Sequence, residues 1–117
     1  ILIADDEEGI RESLALILNE IYDLDFAQDG EEALAKLQQG GYELALLDIK
    51  MPKLDGLEVL RRLAGHQVQT PILMLTAYQS VELAQAAVKL GALDYLPKPF
   101  ERDELLASLR GVLARRQ

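Results

Sequence analysis

The sequence predicts an α/β fold of the doubly wound kind, a three-layer sandwich in which a five-stranded parallel sheet lies between five helices. Three observations carry this. Short apolar runs alternate with stretches of helical periodicity five times along the 117 residues, a pattern that implies one mostly parallel sheet with right-handed crossovers. The run Leu44-Ala45-Leu46-Leu47 is apolar at every position, as a central strand covered by helices on both faces must be. Punctuating residues (Gly30, Gly40-Gly41, Pro52, Gly56, Gly91) fall between the runs rather than inside them. The order 2-1-3-4-5 is the commonest arrangement at this size, although the pattern alone does not separate it from half of a Rossmann-like sheet.

Each element has its own signal. Ile1-Leu2-Ile3-Ala4 reads as a buried strand ending at Asp5-Asp6-Glu7-Glu8. Ile10, Leu14, Ile17, Leu18 and Ile21 then recur at helical spacing, behind acidic residues that suit the positive end of a helix dipole. A short strand is expected near Leu24 to Ala27, followed by a turn at Asp29-Gly30. The second helix runs from about Glu31 to Gln39, with Ala33, Leu34 and Leu37 inward, and Gly40-Gly41 stops it. The third strand ends on Asp48. Leu57, Leu60 and Leu63 mark the third helix. Pro71-Ile72-Leu73-Met74-Leu75 is the fourth strand and ends on Thr76. The fourth helix spans about Ser80 to Leu90, Leu93 to Leu96 form the fifth strand, and Lys98-Pro99 leads to a final helix marked by Leu105, Leu109, Val112 and Leu113.

Composition narrows the function. The length suits one domain covering 1–117. Half the residues are apolar, and there is no cysteine, which excludes disulfides, thiolate metal sites and cysteine nucleophiles. The formal charge of −8 opposes nucleic-acid binding by this domain, since phosphate contacts need concentrated positive charge. No apolar run is long enough to span a membrane and nothing resembles a signal peptide, so a cytoplasmic location is expected. Ile1 is not an initiator methionine, and the apolar run starts at once, so a few residues are expected to precede it.

The chemistry gathers at one edge. In a parallel sheet all strand carboxyl ends lie on one side, and ligands bind there. Asp5-Asp6, Asp48, Thr76 and Lys98 all stand at such ends. Three crowded carboxylates repel one another unless a cation joins them. Oxygen ligands without histidine or cysteine suit a hard ion, Mg2+ or Mn2+. Such a site fits phosphoryl transfer, with Asp48 as nucleophile, Lys98 as a fixed cation and Thr76 as a hydroxyl donor. Each residue alone is equally readable as a helix cap or solvated turn. Their joint placement favours the functional reading.

These residues carry a specific resemblance. Ile3-Ala4-Asp5-Asp6-Glu7, Leu47-Asp48-Ile49-Lys50-Met51-Pro52, Asp55-Gly56, Leu75-Thr76-Ala77 and Leu96-Pro97-Lys98-Pro99-Phe100 resemble, in order and separation, the receiver domain of bacterial two-component response regulators. The stretches around Thr76-Ala77-Tyr78-Gln79-Ser80 and Asp94-Tyr95 are most similar to the nitrogen-regulator class. The resemblance implies a flavodoxin-like, CheY-like fold, and a switch phosphorylated on Asp48 by a partner sensor histidine kinase. It implies Mg2+ held by Asp5, Asp6, Asp48 and the backbone carbonyl of Lys50. Thr76 and Lys98 would contact the phosphoryl group, Ala77 would leave it approachable, Thr76 and Tyr95 would form the switch, and Lys98-Pro99 would be cis. An output domain in the same chain is implied, for transcription, with an AAA+ ATPase and a helix-turn-helix domain in the nitrogen-regulator class. A homodimer through the fourth helix, fifth strand and fifth helix is a further expectation.

Some residues invite plainer readings. The Lys50 side chain is read as a solvated charge, and Tyr95 has a rival role as core filling. His66 is read as an exposed loop residue, and Arg110, Arg115 and Arg116 as helix-end charges. Competing functions are weaker. A small Mg2+-dependent phosphoryl-transfer enzyme would need a cap and a second carboxylate two residues after Asp48, where Lys50 stands. A dinucleotide-binding half would need a Gly-x-Gly-x-x-Gly turn after the first strand, where Asp5-Asp6-Glu7-Glu8-Gly9 stands. A phospho-independent pseudo-receiver, a pure interaction module, is opposed by the complete chemical set. The expectation is therefore a switch that catalyses its own aspartyl phosphorylation and dephosphorylation, not an enzyme turning over an external substrate.

Overall fold

The computed structural model describes residues 1–65, 69–77 and 81–115. Strands β1 (Leu2–Ala4), β2 (Asp25–Ala27), β3 (Ala45–Asp48), β4 (Ile72–Thr76) and β5 (Asp94–Pro97) alternate with helices α1 (Glu8–Leu18), α2 (Gly30–Gln39), α3 (Gly56–Leu63), α4 (Val81–Lys89) and α5 (Arg102–Ala114). All strand pairs are parallel and their order is β2-β1-β3-β4-β5, which decides between the two sheets that the sequence pattern left open.

Side-chain alternation along the strands builds two cores. Leu2, Ala4, Ala45, Leu47, Ile72 and Met74 point to one face and pack against Ala33 and Leu37 of α2, Val59, Leu60 and Leu63 of α3, and Ala87 of α4. Ile3, Leu46, Leu73, Leu75 and Leu96 point to the other and meet Leu14 and Leu18 of α1 and Leu105, Leu109 and Val112 of α5. Strands buried on both faces need apolar residues throughout, which is why β3 and β4 read as continuous runs.

Local chemistry sets the helix starts. The Asp29 carboxylate accepts from the Glu32 N–H at 2.8 Å and that of Asp55 from the Glu58 N–H at 2.8 Å, so both are N-caps. Asp29-Gly30, expected as a turn, is thus the entry to α2. At α5, Glu101 and Glu104 form a reciprocal capping box. One helical position is corrected. Ile21, expected at helical spacing within the first helix, lies beyond it and is 52% exposed, because α1 ends at Leu18 and the chain leaves the helix through Asn19. The expected start of the fourth helix at Ser80, the reading of His66 and that of Arg116 lie outside the described residues.

Candidate functional site

The carboxyl edge of the sheet brings the predicted residues together. Asp5 follows β1 directly and is 2% exposed, Asp48 closes β3 at 5%, Thr76 closes β4 at 2%, and Lys98 stands just past β5 at 8%. These are the buried polar or charged side chains among the described residues. Asp6, beside Asp5, is exposed.

Lys98 is the electrostatic hinge of the group. Its Nζ donates to Asp5 Oδ2 at 2.6 Å and to Asp48 Oδ2 at 3.3 Å. Its backbone N–H donates to the Thr76 carbonyl at 2.7 Å, and the Lys98–Pro99 peptide is cis, as the resemblance implies. The other Asp5 oxygen, Oδ1, accepts from the Glu7 N–H at 2.9 Å and shapes the turn into α1. Asp5 is thereby pinned on both oxygens.

The charges do not balance. Burial, first, and then the neighbouring Asp5 carboxylate push the Asp48 carboxyl up to about 6, against the opposing pull of Lys98. For Lys98, burial alone favours the neutral amine, but hydrogen bonding to Asp5 and the charges of Asp48 and Asp5 outweigh it, and its value is raised. Lys98 therefore stays an ammonium. Lys98 meets two of the clustered carboxylates, Asp5 and Asp48, and one ligand oxygen from each of Asp5, Asp6 and Asp48 lies within 4.8 Å of the others. An all-oxygen set with excess negative charge fits a hard divalent cation, which would remove the repulsion that raises Asp48.

The remaining predicted residues spread outward. Lys50 lies two residues beyond Asp48 with its side chain exposed, and Ala77 is exposed beside Thr76. Tyr95 sits in β5 at 38% exposure, facing Ala84, Gln85, Val88 and Lys89 across a groove of about 450 Å³. It is not core filling in this conformation.

Sequence reasoning missed two features. Arg11 reaches back from α1 and donates from Nη1 to the Asp5 carbonyl at 2.7 Å; its position on the first turn and a half of a helix was the only available signal. The loop after Asp48 is closed by a 2.6 Å hydrogen bond from the Gly56 N–H to the Ile49 carbonyl. A Cβ at Gly56 would overlap the Asp48 carbonyl oxygen. Gly56 was legible as tight backbone, but not its contact with the backbone of Asp48.

Comparison with known proteins agrees with this geometry. The family model described as "Response regulator receiver domain" matches residues 1–110. The response regulator MprA of Mycolicibacterium vanbaalenii is 47% identical over 116 residues, covering 98% of this chain and 50% of MprA. The chain thus spans about half the length of the curated relatives it matches. Among solved structures, the receiver domain of NtrX from Brucella abortus superposes with a TM-score of 0.88 at 32% identity, covering 97% of this chain and 98% of that one. A CheX-CheY-BeF3-Mg+2 complex from Borrelia burgdorferi matches with a TM-score of 0.89 at 30% identity, covering 95% of this chain and 86% of the matched chain.

Proposed function

This chain belongs to the response regulator receiver domain family, and we propose that it is a phosphorylation-activated switch whose Asp48 accepts a phosphoryl group from a histidine of a partner sensor kinase. The observation that carries the reading is the buried Asp48 carboxylate, held 3.3 Å from the Lys98 ammonium and next to two further acidic residues. A charge-crowded carboxylate with a perturbed pKa, at the carboxyl end of a parallel strand, stands where such sheets carry their functional groups.

An Asp48 oxygen attacks phosphorus as the bond from phosphorus to the donor histidine's nitrogen breaks, its electron pair going to that nitrogen. Lys98 supplies fixed positive charge to the transferring oxygens, and Thr76 donates its hydroxyl to one of them. Asp5, Asp6, Asp48 and the Lys50 carbonyl would hold Mg2+, with Mn2+ as a substitute. That ion, when bound, neutralises charge on the phosphoryl oxygens. The complex of a relative with BeF3 and Mg+2 supports this assignment, because beryllium trifluoride has the size and charge of a phosphoryl group. The domain phosphorylates and dephosphorylates itself and turns over no external substrate.

Residues 1–117 form one receiver unit of a longer regulator, controlling an output domain that acts in transcription. The half-length match to MprA supports an attached output domain. An AAA+ ATPase with a helix-turn-helix domain is the output that the nitrogen-regulator resemblance implies, and the longer NtrX chain, of which this chain matches 26%, leaves room for one. The exposed Tyr95 and the α4–β5–α5 face would carry the switch and a homodimer contact. No described helix is long and apolar enough to cross a membrane, and a cytoplasmic place follows from the proposed kinase partnership.

Intact mass after incubation with acetyl phosphate or phosphoramidate tests the reading, comparing wild type, Asp48→Ala and a sample with chelator. A Mg2+-dependent gain of one phosphoryl group that Asp48→Ala lacks is expected. No adduct in the wild type, under conditions that detect short-lived species, would leave a phospho-independent interaction module. An adduct surviving in Asp48→Ala would move the acceptor to another residue.

A further inference from the structure

The loop between Asp48 and α3 is held at its ends and also in its middle, and the middle hold comes from α2. At the ends, the Gly56 N–H reaches the Ile49 carbonyl at 2.6 Å. In the middle, the Leu54 N–H donates back to the Pro52 carbonyl at 2.8 Å around Lys53, whose φ is +72°. This is the γ-turn of the rarer, strained hand, and a lysine keeps such a conformation only when its surroundings impose it.

The imposing neighbour is Gly30, the buried first residue of α2. Its N–H donates to the same Pro52 carbonyl at 3.2 Å. A Cβ added at Gly30 would overlap the Leu54 carbonyl oxygen and come within 2.5 Å of the Leu54 Cβ. The obstructing atoms are backbone and a Cβ, so no side-chain rotation makes room. Asp29, fixed as the N-cap of α2, adds an ion pair to Lys53 Nζ at 3.5 Å. Lys50 and Met51 lie between the two holds.

We propose that Gly30 is a positioning residue for the Asp48 site: only a residue without a side chain lets α2 seat the Pro52–Leu54 turn, and that seating holds the Lys50 backbone where the acidic cluster can use it. The proposal rests on the assignment of Asp48 and Lys50 above. A side chain at position 30 pushes the Leu54 backbone away and releases the strained turn. The loop then loses the hold from α2, and the Lys50 carbonyl loses its fixed direction. Supporting groups around a metal site act in this way, and their loss typically weakens binding tenfold or more.

The test is Mn2+ binding followed by electron paramagnetic resonance, together with the rate of phosphorylation by acetyl phosphate over a Mg2+ series, in wild type and Gly30→Ala. Leu37→Ala, in the core beneath α2 and away from the loop, serves as a variant that is destabilised without touching the turn. Gly30→Ala should bind Mn2+ roughly tenfold more weakly and recover much of its rate at high Mg2+. Leu37→Ala should bind Mn2+ as wild type does, despite a lower melting temperature. Unchanged Mn2+ binding in Gly30→Ala, or equal weakening in Leu37→Ala, overturns the proposal.

If Gly30→Ala does not fold, amide exchange in the wild type decides. Coupling between loop and cation is reciprocal, so Mg2+ should slow exchange at Gly30 and Leu54, and identical rates with and without Mg2+ would refute the coupling. A wild-type chain that binds Mn2+ but never gains a phosphoryl group overturns the function proposed for Asp48. In that case the binding comparison still supports or refutes the role of Gly30.

Discussion

Asp48 carries a conflict that a hydrogen-bonded surface carboxylate would not. It is almost wholly buried, it faces Asp5, and Lys98, the cation that hydrogen-bonds it, is shared with Asp5 at a shorter distance. Its carboxyl is pushed from 3.8 up to about 6. A carboxyl raised on folding binds its proton more tightly in the folded chain. The stability this confers is fully present below pH 3.8 and is lost as the pH rises through about 6. The ionised site therefore weakens the metal-free fold at neutral pH, by up to about 3 kcal/mol. Asp48→Asn should melt above the wild type at pH 7 in chelator, with the gap closing towards pH 4. Thermal melts at the two pH values check this, and equal gaps would mean that the charge of Asp48 costs nothing. Lys98 stays protonated across this range, because its value is raised further above neutrality.

Among the elements, β2 shows how an edge strand is closed by its own side chains. The alternation of a parallel ladder turns the Phe26 amide and carbonyl away from β1. The Phe26 N–H donates to Asp25 Oδ1 at 2.9 Å, and its carbonyl accepts from Lys36 Nζ at 2.6 Å. The next outward N–H, of Gln28, donates to Glu32 Oε1 at 2.8 Å. Tyr42 completes the network, its hydroxyl donating to Asp25 Oδ2 at 2.6 Å. Such an edge offers little to a second strand.

The Tyr42 hydrogen bond is the chief cause of the lowered Asp25 carboxyl, followed by burial working against it and Lys36 working with it. Burial and the Asp25 charge in turn push the Tyr42 phenol up to about 12. Tyr42→Phe should destabilise by about 0.5–1 kcal/mol, at the lower end for a hydrogen bond because Asp25 is half-exposed and solvent screens it. Asp25 is lowered on folding, so its contribution is present above the ordinary carboxylate range and disappears as the pH falls through the folded value. Urea titrations of both chains at pH 7 and pH 2.5 should show a gap that shrinks on acidification. A gap that does not change with pH would detach Tyr42 from the ionisation of Asp25.

For the whole molecule, stability and signalling draw on the same edge of the sheet. The two cores hold β1, β3 and β4 rigidly from both faces, so the strand ends cannot separate to relieve the crowded charges. At neutral pH a bound cation relieves them without unfolding anything. A divalent ion binding the folded chain alone should add about 1.4 kcal/mol at ten times its Kd. In a domain of this size that corresponds to a rise in Tm of roughly 5–10 °C. Calorimetry with Mg2+ and then with excess chelator should show the rise and its reversal, and the rise should be much smaller in Asp48→Ala. An identical rise in both chains would place the ion elsewhere.

The sequence by itself determined the element order, the burial of β3 and β4 on both faces, and which residues stand at the strand ends. These follow from local periodicity and from the rule that parallel strands share one carboxyl edge, and neither needs distant contacts. Asp5, Asp48, Thr76 and Lys98 were legible for that reason. The tertiary structure alone decided how Lys98 divides itself between two carboxylates, since that depends on the ends of β1, β3 and β5 being brought together across 93 and 50 residues of chain. It also decided that Ile21 faces solvent, because α1 ends at Leu18 and the turn after it sends Tyr22 rather than Ile21 onto the core. Gly30 is the sharpest case. In the sequence it is one half of an Asp-Gly turn, and only the docking of α2 against the loop after Asp48 leaves no room there for a single carbon atom.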